Sequence, residues 1–471
     1  MGKIKNNMSV FTRKKKFHFV GIGGVGMSGL AEILVNLGHQ VSGSDRQRSE
    51  LTDYLTGLGV KIYEGHAAEY VQDVDFLIYS SAIPTNNPEI GAALTKNIRM
   101  IRRAELLGQI MNRKFGIAIA GTHGKTTTTS MIGHVLLDSG YDPTIIVGGT
   151  IKNLMTNARL GNSDYVVVEA DEYDRSFLSL FPRMAVITSL ETDHLDIYDD
   201  LDDLKRTFIK FANQVTFDGV LLISEDDENL QEIKDQINNT VLSFGLSDSA
   251  DFRAENIQFN RNRTRFEGFF RDESLGEFEL IVPGDHNVRN ALAAIGVCHE
   301  LEIPIDKIYT GLKTFTGVGR RFEIIAEVND MLVVDDYAHH PTEVRATLKS
   351  AKTGWPSKIV AAFQPHLYTR TRDFYKEFAK ALAIADVCIV CDVYPAREEP
   401  ISGVTGELIV DVLKENGHKN CMYIKDKNDI PGEILKLLEP GNMFITMGAG
   451  DIWKVGRTVA ELLRGRLSAE S

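Results

Sequence analysis

Two glycine-rich turns, each set between a short apolar strand and a helical stretch, constrain this chain more than any other feature. The first is Gly21-Ile22-Gly23-Gly24-Val25-Gly26. It follows the apolar segment Phe17 to Val20 and precedes Met27 to Leu37, where apolar residues at 27, 30, 31, 34 and 37 form a helical stripe that Gly38 stops. Glycines let a backbone approach a pyrophosphate, and a helix N-terminus favours its charge. Asp45 ends the next strand, Val41 to Asp45, where a dinucleotide fold carries a ribose-binding acid. Alone, this turn predicts an NAD-dependent dehydrogenase, with a purely structural tight turn as the alternative.

The second turn is Gly121-Thr122-His123-Gly124-Lys125-Thr126-Thr127, between a predicted strand at Phe115 to Ala120 and a helix from about Thr127 to Ser139. Its N–H groups can cradle phosphates, Lys125 can reach the β and γ oxygens, and a threonine hydroxyl can hold Mg²⁺. It is shorter than a GxxxxGK[ST] loop, which would need glycine where Ile119 stands. A dehydrogenase has no use for such a loop. An enzyme that uses one nucleotide as phosphoryl donor and another as a handle on its substrate fits both.

The rest of the chain continues the strand–helix alternation. Predicted strands lie at 75–79, 165–168, 185–188, 220–224, 331–335, 358–363, 387–393 and 443–447, and residues 251–282 alternate as antiparallel hairpins. Glu169, Asp171 and Glu172 follow one strand and Asp193-His194-Leu195-Asp196 another, so both groups offer candidate Mg²⁺ ligands. His286-Asn287-Val288-Arg289-Asn290 opens an Ala/Leu-rich helix; Asn287 and Asn290 share a face, and from pattern alone capping is favoured over nucleotide contact. The adjacent His339 and His340 match no zinc spacing. Arg370 and Arg372 could hold a carboxylate bidentately, or stand in a solvated loop.

Composition excludes several classes. No apolar run approaches the ~20 residues of a membrane span. The Lys-rich start has no apolar stretch behind it and is no secretory signal, and Asn6 stands where a myristoylation start needs Ser or Thr. Net charge is −13, with six cations and no acids in the first 16 residues, so the body is too acidic for a general nucleic-acid binder. Four cysteines in 471 residues make no disulfide framework and read as cytosolic. Cys388 and Cys391 form a CxxC, but three residues apart on a strand their sulfurs diverge. At about 150 residues per domain, the length gives roughly three domains.

The ordered set Gly21 to Ser28, Gly121 to Thr127, Glu169-Ala-Asp-Glu-Tyr-Asp174 and Asp336-Tyr-Ala-His-His-Pro341 resembles the Mur ligases. Phe363 to Arg372, Tyr394 to Glu398 and Met447 to Asp451 extend the resemblance to nearly the whole chain after the first fifteen residues. It implies an α/β chain of three domains behind a basic extension of residues 1–15. Residues 16–112 would form a Rossmann-like UDP-sugar domain. Residues 113–318 would form a central P-loop ATPase-like domain for ATP and Mg²⁺. Residues 319–471 would form a Rossmann-like amino-acid domain.

The implied reaction is ATP-dependent joining of L-alanine to the lactyl carboxylate of UDP-N-acetylmuramate through an acyl phosphate. The implied enzyme is cytoplasmic, a monomer or homodimer, with no nucleic-acid or membrane partner. Gly21, Gly23, Gly24, Gly26, Met27, Ser28, Asp45 and Ser81 would hold the UDP-sugar. Gly121 to Thr127, with His286, Asn290 and Arg321, would hold ATP. Thr126, Glu169 and His194 would hold the metal, and Lys125, His194 and His339 would act in catalysis. His339, Arg370 and Arg372 would meet the amino acid. Lys205 and Lys210 lie where related ligases carry a modified lysine, and neither is assigned that role. The alternatives are a ligase that recycles a tripeptide onto the same sugar nucleotide, an NAD-dependent dehydrogenase, and an inactive UDP-sugar sensor.

Overall fold

The computed structural model describes residues 14–192, 197–396 and 398–470. The chain divides into two compact units. One comprises the residues up to Glu255 with Gly268–Gly276 and Arg289–Phe315; the other comprises Asn256–Glu267, Glu277–Val288 and the residues from Thr316.

The first unit begins with five parallel strands, β1 (Lys16–Val20), β2 (Gln40–Asp45), β3 (Lys61–Glu64), β4 (Phe76–Tyr79) and β5 (Arg99–Arg102), in the order β3-β2-β1-β4-β5. Parallel pairing follows from the helices between strands, since a parallel neighbour needs a crossover. The order reverses between β1 and β4, which opens a crevice at their carboxyl ends. At the end of β1 the chain turns through Gly21, whose φ is +78°. The N–H groups of Gly21 and Ile22 both donate to the Ser44 carbonyl, at 2.8 and 2.9 Å.

The helix after this turn, Val25–Asn36, starts two residues before the predicted stripe. It buries Ile33 as well as Met27, Leu30, Ala31 and Leu34, so its apolar face is wider than the stripe. The reason is a second neighbour in the same unit. Asn157 donates its side-chain amide to the Val25 carbonyl at 2.7 Å, and a Cβ on Gly29 would lie 3.0 Å from the Ala158 methyl.

Asn157 belongs to the next sheet. Its strands are β6 (Phe115–Ala120), β7 (Thr144–Ile151), β8 (Thr156–Arg159), β9 (Tyr165–Glu169), β10 (Met184–Ile187), β11 (Val220–Ser224), β12 (Thr240–Gly245), β13 (Phe252–Asn260), β14 (Arg263–Phe270) and β15 (Glu273–Leu280). Their order is β15-β14-β13-β12-β11-β10-β6-β9-β7-β8. The centre is parallel, and β8 returns antiparallel to β7. β13 to β15 occupy the predicted hairpin region, and the division between units runs through them. One apolar core joins the first two sheets, with Phe17, Ile22 and Leu30 in the same cluster as Ala118, Val168 and Phe208.

The second unit carries β16 (Glu323–Val328), β17 (Met331–Asp336), β18 (Lys358–Phe363), β19 (Val387–Val390), β20 (Cys421–Tyr423) and β21 (Asn442–Met447), in the order β16-β17-β21-β18-β19-β20. Among the described strands of this sheet only β16 runs antiparallel. β19 is shorter than the predicted 387–393. Cys388 packs in one apolar cluster and Cys391 in another, so the CxxC sulfurs do diverge. Burial pushes both thiols up to about 12, which leaves them unreactive.

Candidate active site

The phosphate loop is built at the carboxyl end of β6. Gly121 has a φ of +129°, and a Cβ there would lie 2.2 Å from the Thr188 hydroxyl. Gly124 has a φ of +81°, and its Cβ would lie 2.7 Å from Asn290 Oδ1. Both positions therefore require glycine. Thr122 N donates to Ser189 O at 3.0 Å and His123 N to Ser189 Oγ at 2.9 Å, which fastens the loop beyond the end of β10. The helix then runs Lys125–Asp138, two residues earlier than predicted, with Lys125 and Thr126 in its first turn.

Three acids at and just after the end of β9 look alike in sequence and have three different partners here. Glu169 Oε1 accepts from Thr126 Oγ1 at 3.1 Å, and Oε2 from Gly148 N at 2.7 Å. Asp171 Oδ2 meets Arg103 Nη2 at 3.3 Å. Glu172 is buried and takes Lys125 Nζ on both oxygens, at 2.9 and 2.8 Å. Lys125 Nζ also donates to the Gly121 and Thr122 carbonyls, at 2.6 and 3.3 Å. Burial alone would lower the lysine's pKa; Glu172, Asp171 and Glu169 outweigh it and raise the value, so the ammonium stays charged.

Asn290 is brought to this loop. Its Oδ1 accepts from Thr128 Oγ1 at 3.1 Å, which is not capping. Asn287, in the first turn of the same helix, donates its amide to the Pro283 carbonyl at 2.7 Å, so it too is not the accepting cap the pattern favoured. His194 lies outside the described residues.

At the first glycine turn, Asp45 points back into the loop. Its Oδ2 accepts from Gly23 N at 2.8 Å and its Oδ1 from Arg46 N at 2.8 Å. A Cβ on Gly26 would lie 3.0 Å from Arg103 Nη1, so Arg103 stands between this turn and Asp171. Met27 and Ser28 are buried in the helix, and the Ser28 hydroxyl donates to the Val25 carbonyl at 2.9 Å. Gly24 and Ser81 are exposed.

A buried cluster beside this turn has no counterpart in the sequence reading. Glu89 Oε2 lies 2.6 Å from His18 Nε2; its Oε1 lies 2.7 Å from both Ser44 Oγ and His66 Nδ1. Burial would raise the carboxyl's pKa, but the bonds from His18, Ser44 and His66 hold it below the ordinary value. Only His18 and Ser44 lie in strands, Glu89 opens a helix and His66 follows β3, and the members are spread over 71 positions.

In the second unit, Asp336 ends β17. Its carboxylate accepts from Phe322 N and Ala338 N, both at 2.7 Å. Burial pushes this group up to about 6, against the pull of Arg321 and of those two N–H groups. His339 Nδ1 lies 2.9 Å from the Tyr337 carbonyl and 3.2 Å from Glu343 Oε2, both acceptors, so Nδ1 carries a proton. Arg321 reaches Glu343 Oε1 at 3.3 Å. His340 instead caps the helix Pro341–Gly354. His286 stands against Gly284, where a Cβ would lie 2.8 Å from its ring.

The two arginines of the helix Tyr368–Leu382 are not brought together. Arg370 is buried. Arg372 is exposed and pairs with Asp373, at 2.7 and 3.1 Å. Residues two apart on a helix point to different faces.

A phosphate loop with a charged lysine, a hydroxyl–carboxylate pair beside it and a second glycine turn define a nucleotide-using α/β enzyme. Three family models match: "Mur ligase family, catalytic domain" over residues 16–115, "Mur ligase middle domain" over 119–298 and "Mur ligase, glutamate ligase domain" over 320–450. The chain belongs to the Mur ligase family. The dehydrogenase alternative for the first turn is thereby set aside.

Among relatives, the UDP-N-acetylmuramate–L-alanine ligase of Geotalea uraniireducens is 49% identical over 458 residues, 97% of this chain and 100% of that protein. That of Salinibacter ruber is 49% identical over 453 residues, 96% and 95% of the two chains. The structure of UDP-N-acetylmuramate–alanine ligase from Thermotoga maritima superposes with a TM-score of 0.82 at 31% identity, covering 96% of this chain and 100% of that one. A murein peptide ligase from Psychrobacter arcticus gives 0.69 at 25%, covering 95% and 98%.

Proposed function

We infer that this chain joins L-alanine to the lactyl carboxylate of UDP-N-acetylmuramate, converting ATP to ADP and phosphate, in peptidoglycan precursor synthesis. The observation that carries this is end-to-end similarity, at 49% identity, to relatives named for that reaction. Residues 16–112 are assigned to the UDP-sugar, 113–318 to ATP and 319–471 to the amino acid. Residues 1–13 of the basic extension lie outside the described residues.

A carboxylate is a poor electrophile. Transfer of the γ-phosphoryl group from ATP gives an acyl phosphate; the alanine amine attacks its carbonyl carbon, and phosphate leaves. Phosphoryl transfer is chiefly positioning and charge stabilisation. Lys125 supplies fixed positive charge at the helix start, and Glu172 holds the ammonium over the loop carbonyls. The loop N–H groups from Gly121 to Thr127 cradle the phosphates. His286, Asn290 and Arg321 are assigned to ATP by family position.

Thr126 Oγ1 and Glu169 Oε1, hard oxygen donors 3.1 Å apart, fit Mg²⁺, with His194 as the third assigned ligand. Mg²⁺ would neutralise charge on the phosphates when bound. His339, with its proton held on Nδ1, presents Nε2 to take a proton from the amine. Arg370 is assigned to the alanine carboxylate. The glycine turn, Asp45 and Ser81 are assigned to the UDP-sugar. A cytoplasmic location belongs to the same reading, supported by four unpaired cysteines; so does a monomer or homodimer. No helix among the described residues is long and apolar enough to cross a membrane.

The test is phosphate release from ATP with UDP-N-acetylmuramate, adding L-alanine or the L-alanyl-γ-D-glutamyl-meso-diaminopimelate tripeptide in turn. Release with alanine, and a matching amide by mass spectrometry, is the expected result. Release with the tripeptide alone would move the chain to the recycling branch.

A further inference from the structure

We propose that Arg320 is a positioning residue that locks two loops of the third sheet into one frame and thereby sets the approach of the attacking amine. The proposal rests on the alanine-ligase reading above.

Arg320 lies just past Phe315, where the chain leaves the first unit. It has a left-handed backbone, φ +59°, which an arginine adopts only when its surroundings hold it there. Every guanidinium nitrogen is used. Nε donates to Asp335 Oδ2 at 2.9 Å, Nη2 to the Gly448 carbonyl at 2.6 Å and Nη1 to the Gly450 carbonyl at 3.3 Å. Its plane lies over the Tyr337 ring, 5.0 Å from the centroid. Its own carbonyl accepts from Tyr337 N at 2.7 Å.

These acceptors are not scattered. Asp335 and Tyr337 flank the end of β17; Gly448 and Gly450 follow β21, its parallel neighbour. Loops at the carboxyl ends of parallel strands carry ligands in open α/β sheets. One side chain therefore ties both loops to the segment that leads into the sheet. The link reaches the chemistry through Tyr337, whose carbonyl holds His339 Nδ1 at 2.9 Å. A shift of Tyr337 moves the base assigned to the amine. Lysine cannot replace this fork, because an ammonium is a point donor without planar geometry.

The experiment compares wild type with Arg320→Lys and Arg320→Gln. It measures KM for ATP, for UDP-N-acetylmuramate and for L-alanine, together with phosphate released per amide formed. In both variants the alanine KM is expected to rise about tenfold or more, a loss on the scale of one charged hydrogen bond, with the other two KM values within about twofold. The phosphate-to-amide ratio should exceed one, because water then attacks the waiting acyl phosphate, regenerating the carboxylate and releasing phosphate.

An unchanged alanine KM with one phosphate per amide would overturn the proposal. So would a parallel rise in all three KM values with a lowered melting temperature, the mark of a merely structural residue. If Arg320→Gln does not fold, Arg320→Lys, which keeps a charge beside Asp335, decides between these outcomes. A wild-type chain that forms no alanyl amide would instead overturn the reaction itself, and the proposal with it.

Discussion

Lys125 and Glu172 form a bidentate ion pair, Nζ to Oε1 and Oε2 at 2.9 and 2.8 Å, with the carboxylate almost wholly buried. Removing the lysine removes the charge assigned to the phosphates. Lys125→Ala should abolish ATP-dependent turnover while leaving UDP-N-acetylmuramate affinity within about twofold, since the first glycine turn lies on a separate sheet. Calorimetric titration with the sugar nucleotide checks it; an equal loss of that affinity would argue against the division of sites.

The same pair gives a stability prediction. Glu172→Gln removes the only carboxylate bonded directly to the Lys125 ammonium among the described contacts, leaving the more distant Asp171 and Glu169, and breaking such a pair typically costs about 3–5 kcal/mol. Urea denaturation should show a loss on that scale, larger than for Asp171→Asn, whose carboxylate is more exposed. Equal losses in the two variants would deny Glu172 its special place.

Asp336 predicts a pH dependence. Its folded pKa is pushed up to about 6, against an ordinary 3.8, so between these values the unfolded chain has lost a proton that the folded chain keeps. Stability therefore falls as pH rises from about 4 to about 6, by roughly 3 kcal/mol from this group, and is level above. Denaturation midpoints at pH 4, 5 and 6.5 should show a downward component in wild type that is missing in Asp336→Asn. Identical profiles in the two proteins would contradict it.

The arginines of the helix Tyr368–Leu382 should separate in kinetics as they do in space. Arg370→Ala is expected to raise the alanine KM by about tenfold or more, the scale of a charged hydrogen bond lost. Arg372→Ala, whose guanidinium is exposed beside Asp373, should change it less than about threefold. A reversed order would return Arg372 to the amino-acid site.

Local features were legible in the sequence. β6, its glycine loop and the following helix are written in one continuous stretch, and the three-sheet α/β plan follows from the repeated strand–helix alternation. What depended on distant pairing was not. Glu169, Asp171 and Glu172 carry the same chemistry within four positions, and only the fold assigns them to Thr126, Arg103 and Lys125. Glu89 with His18, Ser44 and His66 gave no spacing signal, because β1, β2 and β3 each contribute or lead into one member. Arg370 and Arg372 look like a pair in sequence, but two positions apart on the helix Tyr368–Leu382 they face different ways. Local pattern at Asn290 favours a cap, because its partner Thr128 lies 162 positions away.

The helix Val25–Asn36 rests on strands of two sheets, and the apolar cluster beneath it runs without interruption from Phe17 to Phe208. A fragment ending near residue 112 would expose one side of that cluster to water. The part assigned to the sugar nucleotide is therefore not a portable module: it should melt together with the sheet that carries Lys125 in a single cooperative transition, and neither should be recoverable as an autonomous folding piece.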